Sequence, residues 1–249
     1  MAAFLSAGKF QLSSWSTLPD AAVRESLLRA KFDAIVLDMQ HGLYDTASVR
    51  EAIAQAISFA TPAIVRVPVG DLAFVSRALD LGAAAVILPM IDSVADARAL
   101  VTAAKYAPLG QRSYGPGRAA ELHGFATGSD YMAAANRSTL ALAMIETQPA
   151  FRDLDAILSV DGLDGVFVGP SDLSISLFGA LDASGPATIA ATAEIAAKSK
   201  AAGRFCAIYA AIDADAERAR EQGFDLVGLS SDAAMLAQAA SALAGSVRR

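Results

Sequence analysis

Four charged or titratable residues stand at or near the ends of apolar runs. The run 140–146 closes on Glu146, the run 165–169 leads through Pro170 into Ser171 and Asp172, and the run 34–38 leads into Gln40 and His41. Arg66 lies inside the aliphatic run 63–67. A charge in such a run must be partnered, because an unpaired buried charge is prohibitively costly. Glu146 and Asp172 are 26 positions apart and His41 and Arg66 are 25 apart, each about one strand-plus-helix unit. Residues so spaced sit at similar heights on neighbouring strands roughly 5 Å apart. Two carboxylates converging without cysteine or histidine form an oxygen-only site suited to Mg²⁺ or Mn²⁺, with water and substrate completing the shell. The alternative chemistry for such a pair is acid/base glycoside hydrolysis. The second group, His41 with Arg66, fits that alternative less well. A cation facing an arginine suits a substrate that develops negative charge, such as a 2-keto acid on the way to its enolate. Arg66 would then stabilise the enolate oxygen, and His41 would move a proton at the aldehyde end. The Ser171 and Asp172 amides would hold the substrate carboxylate.

The elements that must position these residues alternate along the chain. Strand-like runs are expected at 11–15, 34–38, 63–67, 85–89, 140–146, 165–169, 204–209 and 226–230. The middle ones are continuous aliphatic runs, as in strands covered on both faces. Helical stretches at 45–60, 71–81, 93–106 and 148–160 separate them, and Asp45, Asp71 and Ser93 are suitable caps for the first three. Eight such units predict a (β/α)8 TIM barrel, an α/β fold, as one domain over residues 1–249. No Gly-x-Gly-x-x-Gly follows the first strand, which disfavours an open doubly wound sheet. The segment 110–137 carries Gly110, Gly115, Gly117, Gly124 and Gly128. It is predicted to be an irregular loop over the site or an intersubunit contact.

Composition narrows the function classes. Of 249 residues, 54% are hydrophobic and 18% charged, enough for a large core. The net charge of −6 and the absence of a Lys/Arg run argue against nucleic acid as a partner. The start, Met1 to Ser6, has no basic stretch before an apolar core, and the apolar run around residues 82–91 is short and holds Pro89. Neither a signal peptide nor a membrane span is expected. The one cysteine, Cys206, reads as a buried core thiol of a cytoplasmic protein. Lys105 reads as a solvated helical side chain, and no lysine ends a middle strand, where a Schiff-base enzyme would carry its nucleophile. His123 has no motif around it and reads as a loop or interface residue. Trp15 reads as a core or rim aromatic within reach of the pocket wall.

At the segments 32–45 (FDAIVLDMQHGLYD), 65–71 (VRVPVGD), 79–112, 145–147 (IET) and 161–174 (DGLDGVFVGPSDLS), the chain resembles the HpcH/HpaI aldolase family. These are metal-dependent (class II) pyruvate aldolases. The resemblance runs from about residue 20 to the C-terminus. It implies a (β/α)8 barrel whose last helix packs on, or is swapped with, a neighbouring subunit, in dimers that assemble to a homohexamer. It implies a divalent cation (Mg²⁺, Mn²⁺ or Co²⁺) on Glu146 and Asp172, His41 as acid/base and Asp80 as the acid raising its basicity. Arg66 would be the enolate stabiliser, with Ser171 and Asp172 at the substrate carboxylate. The implied partners are a 2-keto acid (pyruvate or hydroxypyruvate) and an aldehyde. Three positions depart from the family pattern: Gln40, Met144 and the segment 114–120. Two other readings share the barrel and its site: an acyl-CoA lyase of the citrate lyase β-subunit or malyl-CoA lyase type, and a non-catalytic barrel that binds a 2-keto acid. The first would call for basic residues at the CoA phosphates, which are not evident, and the second leaves His41 without a task.

Overall fold

The computed structural model describes residues 9–247. The ends of the expected 1–249 domain, with the Met1–Ser6 start, lie outside the described residues. The first half of the chain runs β1 (Gln11–Ser16), α1 (Ala21–Arg29), β2 (Ala34–Asp38), α2 (Thr46–Ser58), β3 (Ala63–Arg66), α3 (Leu72–Asp80), β4 (Ala85–Leu88) and α4 (Val94–Ala104). Two helices, α5 (Gly117–Leu122) and α6 (Gly128–Ser138), precede β5 (Leu140–Ile145), α7 (Gln148–Arg152) and α8 (Leu154–Leu158). Then come β6 (Gly165–Val168), α9 (Pro170–Phe178), α10 (Pro186–Ala201), β7 (Phe205–Ala210), α11 (Asp213–Gln222), β8 (Leu226–Ser231) and α12 (Asp232–Val247). All eight strands pair in parallel and in sequence order, and β8 closes on β1. This is the (β/α)8 TIM barrel that the alternation predicts.

The strand pleat decides which side chains reach the site. Alternate residues point to opposite faces. Val36, Ile64, Leu142, Met144, Phe167 and Ala207 fill the barrel interior, whereas Ile35, Leu37, Val65, Ala143 and Val166 pack outward against the helices. Continuing the inward parity by two residues gives Asp38, Arg66, Glu146, Gly169 and Tyr209. Apart from Gln11 and Ser13 of β1, the interior is apolar below, and it ends at its carboxyl rim in a polar layer. The expected caps are present: Asp45 accepts from Ser48 N, Asp71 from Phe74 N and Ser93 from Asp96 N.

Two expectations need correction. The segment 110–137 is mostly helical, and α5 and α6 enclose a small core of Tyr106, Ala119, Ala120, Tyr131 and Ala135 beside α3. None of its residues lines the pocket at the strand C-termini. Its five glycines masked two short helices. Lys105 is fully buried, at 0% exposure. It sits at the C-cap of α4, paired with Asp164 at 2.7 Å and donating to the Thr139 and Asn136 carbonyls. The partners that bury it come from the starts of β5 and β6, which local sequence does not reveal.

The C-terminal helix stands apart. After Asp232, α12 carries no charged residue, and Leu236, Leu243 and Val247 are exposed at 59%, 71% and 82%. Asp232 anchors it to the end of β1, accepting from Ser16 Oγ, Thr17 N and Oγ1, and Leu18 N. Among the described residues no helix is long and apolar enough to cross a membrane.

Candidate active site

A cavity of about 260 Å³ opens at the carboxyl ends of the strands. That is where the loops of such barrels build their sites. Its wall includes His41, Arg66, Ser171 and Asp172, so four of the six expected site residues line one space.

On the β2–β3 side, register places Asp38 opposite Arg66. Arg66 Nε donates to Asp38 Oδ1 at 2.9 Å and Nη2 to Oδ2 at 2.5 Å, a two-point pair that fixes the guanidinium plane. Asp38 is 1% exposed and Arg66 7%. Trp15 Nε1 also donates to Asp38 Oδ2, and the Trp15 ring lies 4.9 Å from the Arg66 guanidinium carbon. Burial alone would raise the Asp38 pKa. The Arg66 bond and charge, with the Trp15 and His41 N–H groups, outweigh it and hold the carboxyl below its usual range. Arg66 therefore keeps its counter-ion at neutral pH. Its Nη1 has no hydrogen-bond partner among the described residues. The backbone amides of Gln40 and His41 fold back onto Asp38 Oδ1. A Cβ at Gly42 would lie 2.2 Å from the Asp38 carbonyl oxygen, so this turn needs glycine. The exposed His41 ring is thereby held at the cavity, with no hydrogen-bond partner of its own among the described residues.

On the opposite side, Glu146 is 1% exposed and its Oε1 accepts one bond, from Met90 N at 2.8 Å. Burial and the neighbouring Asp172 charge push its pKa up to about 7, against the pull of the Met90 amide and of Arg66. Glu146 Oε2 has room only because residue 169 is glycine: a Cβ there would lie 2.5 Å from it. Asp172 sits in the first turn of α9, where Ser171 and Asp172 N–H groups have no intrahelical acceptors. Among the described residues no third His, Cys, Asp or Glu completes a metal-binding group with this pair. A buried carboxylate raised by another carboxylate, with the nearest arginine committed elsewhere, is a donor set that a divalent cation fits. Glu146 and Asp172 would hold it, leaving positions for substrate and water.

Asp80 is not brought to this cavity. It ends α3, which runs antiparallel to the strands, and so lies toward their amino ends. There it pairs with Arg112 at 2.6 Å, and Arg112 lies over Tyr106 and Tyr131. His123, beside Gly82 O, is also remote from the cavity. Cys206 is buried, and burial pushes its thiol up to about 12.

Asp38, Trp15, Tyr209 and Gly169 complete the site, with Trp15 in the pocket wall that its place near the end of β1 brings within reach. Asp38 was visible as an acid at a strand end. Tyr209 shared its signal with any core aromatic.

The fold and the site define a class: a single barrel whose carboxyl rim sets a carboxylate pair, a donor set that a divalent cation would fit, against a fixed arginine. Residues 11–239 match the family model for HpcH/HpaI aldolase/citrate lyase. A hydroxypyruvate/pyruvate aldolase from Rhizorhabdus wittichii is 39% identical over 94% of this chain and 92% of its own. A 5-keto-4-deoxy-D-glucarate aldolase from Citrobacter koseri is 33% identical over 99% and 95%. A solved HpcH/HpaI aldolase/citrate lyase family protein from Burkholderia cenocepacia superposes with a TM-score of 0.88 at 29% identity, covering 97% of this chain and 95% of that one. The chain belongs to the HpcH/HpaI aldolase/citrate lyase family.

Proposed function

We propose that the chain is a divalent-metal-dependent aldolase that joins pyruvate or hydroxypyruvate to an aldehyde and reverses that reaction. One observation carries the reading: the buried Glu146 and the exposed Asp172 form a carboxylate pair with no lysine or arginine bonded to it among the described residues, and it faces an arginine that Asp38 fixes in place. Mg²⁺, Mn²⁺ or Co²⁺, when bound by Glu146 and Asp172, would polarise the keto oxygen of a chelated 2-keto acid. Arg66 presents its free Nη1 edge to the enolate oxygen, and its geometry is set before substrate arrives, which is where electrostatic catalysis gains most. The Ser171 and Asp172 amides receive the substrate carboxylate at the start of α9. His41 takes the proton of the aldol hydroxyl in cleavage and returns it in synthesis.

The role of Asp80 toward His41 belongs to the same proposal with one condition. Within one chain the two residues lie toward opposite ends of the barrel, so the pairing requires Asp80 of a second copy. A homo-oligomer fits the uncharged, exposed α12, whose Leu236, Leu243 and Val247 would be covered by a neighbour. Dimers built on α12 and assembled to a hexamer, working in the cytoplasm, complete the proposal.

The test is turnover of pyruvate with glyoxylate or glyceraldehyde, with Mg²⁺ and with excess chelator. Aldol product that forms only with the cation supports the reading. Full activity in chelator, or trapping of pyruvate on the protein by borohydride, overturns it in favour of a lysine Schiff base.

A further inference from the structure

The reaction cavity has a neighbour. A second cavity of about 70 Å³ lies beside it, with Ala183, Ser184, Ile189, Thr192 and Arg218 among its walls. Pro170, Ser171 and Tyr209 line both spaces. Pro170 and Ser171 begin α9 and are fixed by it. Tyr209 contributes the one large side chain of the shared wall. Its ring stands edge-on to Trp15, with centroids 5.2 Å apart, and its hydroxyl has no hydrogen-bond partner among the described residues. Ring contact, not a polar network, holds this wall in place.

Apart from the Ser171 and Tyr209 hydroxyls on the shared wall, the polar side chains of the second cavity have partners within the protein. Ser184 Oγ and Arg218 Nη1 both donate to Asp215, and Thr192 Oγ1 and Gln222 Nε2 donate to the Ile189 carbonyl. What remains for a guest is space beside Ala183, Ile189, Ile208 and Ala219. That suits an unbranched alkyl chain rather than a carboxylate or a phosphate.

We propose that Tyr209 is a specificity-determining partition: it closes the reaction cavity on the β7 side, limits the acceptor to short aldehydes, and separates them from a ready-made space for an alkyl tail. This rests on the aldolase reading above. With the ring in place, a longer tail must turn to solvent and gains nothing from burial. With the ring removed, each methylene that enters the second cavity raises kcat/KM by roughly tenfold or more, the usual worth of a methylene in an apolar pocket.

The experiment compares hexanal with propanal as acceptors for pyruvate, using the Mg²⁺-loaded protein. The hexanal-to-propanal ratio of kcat/KM is expected to rise at least about tenfold in Tyr209→Ala and to move the same way in Tyr209→Val. In Tyr209→Phe, which keeps the ring, the ratio should stay within about twofold of wild type. Adding Ala183→Trp, which fills the second cavity, should remove the gain. Should Tyr209→Ala fail to fold, Tyr209→Val decides. Deuterium exchange into the pyruvate methyl group, measured without aldehyde, separates the two levels of the argument. A wild-type protein without exchange overturns the aldolase reading and the partition with it. Exchange together with an unchanged ratio, or a gain that survives Ala183→Trp, overturns the partition alone.

Discussion

The charge on Glu146 should destabilise the metal-free protein, and Glu146→Gln should relieve it. The side chain is 1% exposed, accepts one backbone bond and faces the Asp172 charge, and its pKa rises from 4.5 to about 7. Between those two values the folded state binds more protons than the unfolded chain, so stability falls as pH rises. The stabilising contribution is complete below about 4.5 and lost above about 7. At about 1.4 kcal/mol per pH unit, the ionised carboxylate costs about 3 kcal/mol at pH 8.5 and under about 1 kcal/mol at pH 5. Glutamine has the same shape and still accepts from Met90 N. In excess chelator, urea unfolding should show Glu146→Gln more stable than wild type by about 3 kcal/mol at pH 8.5, with most of that advantage gone at pH 5. Saturating Mg²⁺ should close most of the gap at pH 8.5, adding about 2.7 kcal/mol to wild type at a hundred times Kd and little to the variant. Equal offsets at both pH values, or a wild type more stable at pH 8.5 without metal, would refute the reasoning.

Other substitutions separate the remaining roles. Arg66→Lys should lower both pyruvate exchange and aldol turnover by about 100-fold or more, because an ammonium cannot fork onto both Asp38 oxygens and still face the cavity; near-normal kinetics would remove Arg66 from enolate stabilisation. His41→Ala should cut aldol cleavage by roughly 10²–10⁴-fold while leaving methyl exchange largely intact, and unimpaired cleavage would exclude it. Gly169→Ala, which drives a methyl into Glu146 Oε2, should weaken Mg²⁺ binding at least about tenfold by calorimetry, the loss expected when a ligand is misplaced. Light scattering should find a homo-oligomer that Leu236→Asp with Leu243→Asp disrupts; a wild-type monomer at micromolar concentration would contradict the role given to α12.

The barrel was legible because its strands are short aliphatic runs, and each of the eight observed strands lies within about a residue of its expected bounds. The inward positions were legible where a charge broke such a run, as at Arg66 and Glu146. What the runs could not show is register. That Asp38 rather than His41 is the partner of Arg66 follows from the β2–β3 pairing. The helix direction was equally hidden in residue spacing: Asp80 falls in a matching motif, yet α3 carries it away from the rim to Arg112. Lys105 shows the same limit, since Asp164 and the Thr139 carbonyl that bury it lie far along the chain. Tyr209 gave no signal at all, because an aromatic ending an apolar run reads as core.

Methyl exchange tests the central claim most directly, because it isolates enolate formation from the aldehyde and its proton transfer. Pyruvate in D₂O should exchange its methyl protons with the wild-type protein and Mg²⁺, stop exchanging when chelator is added, and resume when Mg²⁺ is restored, while Glu146→Gln shows no exchange at any of these steps. Exchange that persists in chelator, or that Glu146→Gln sustains at the wild-type rate, would contradict an enolate formed between the Glu146–Asp172 pair and Arg66.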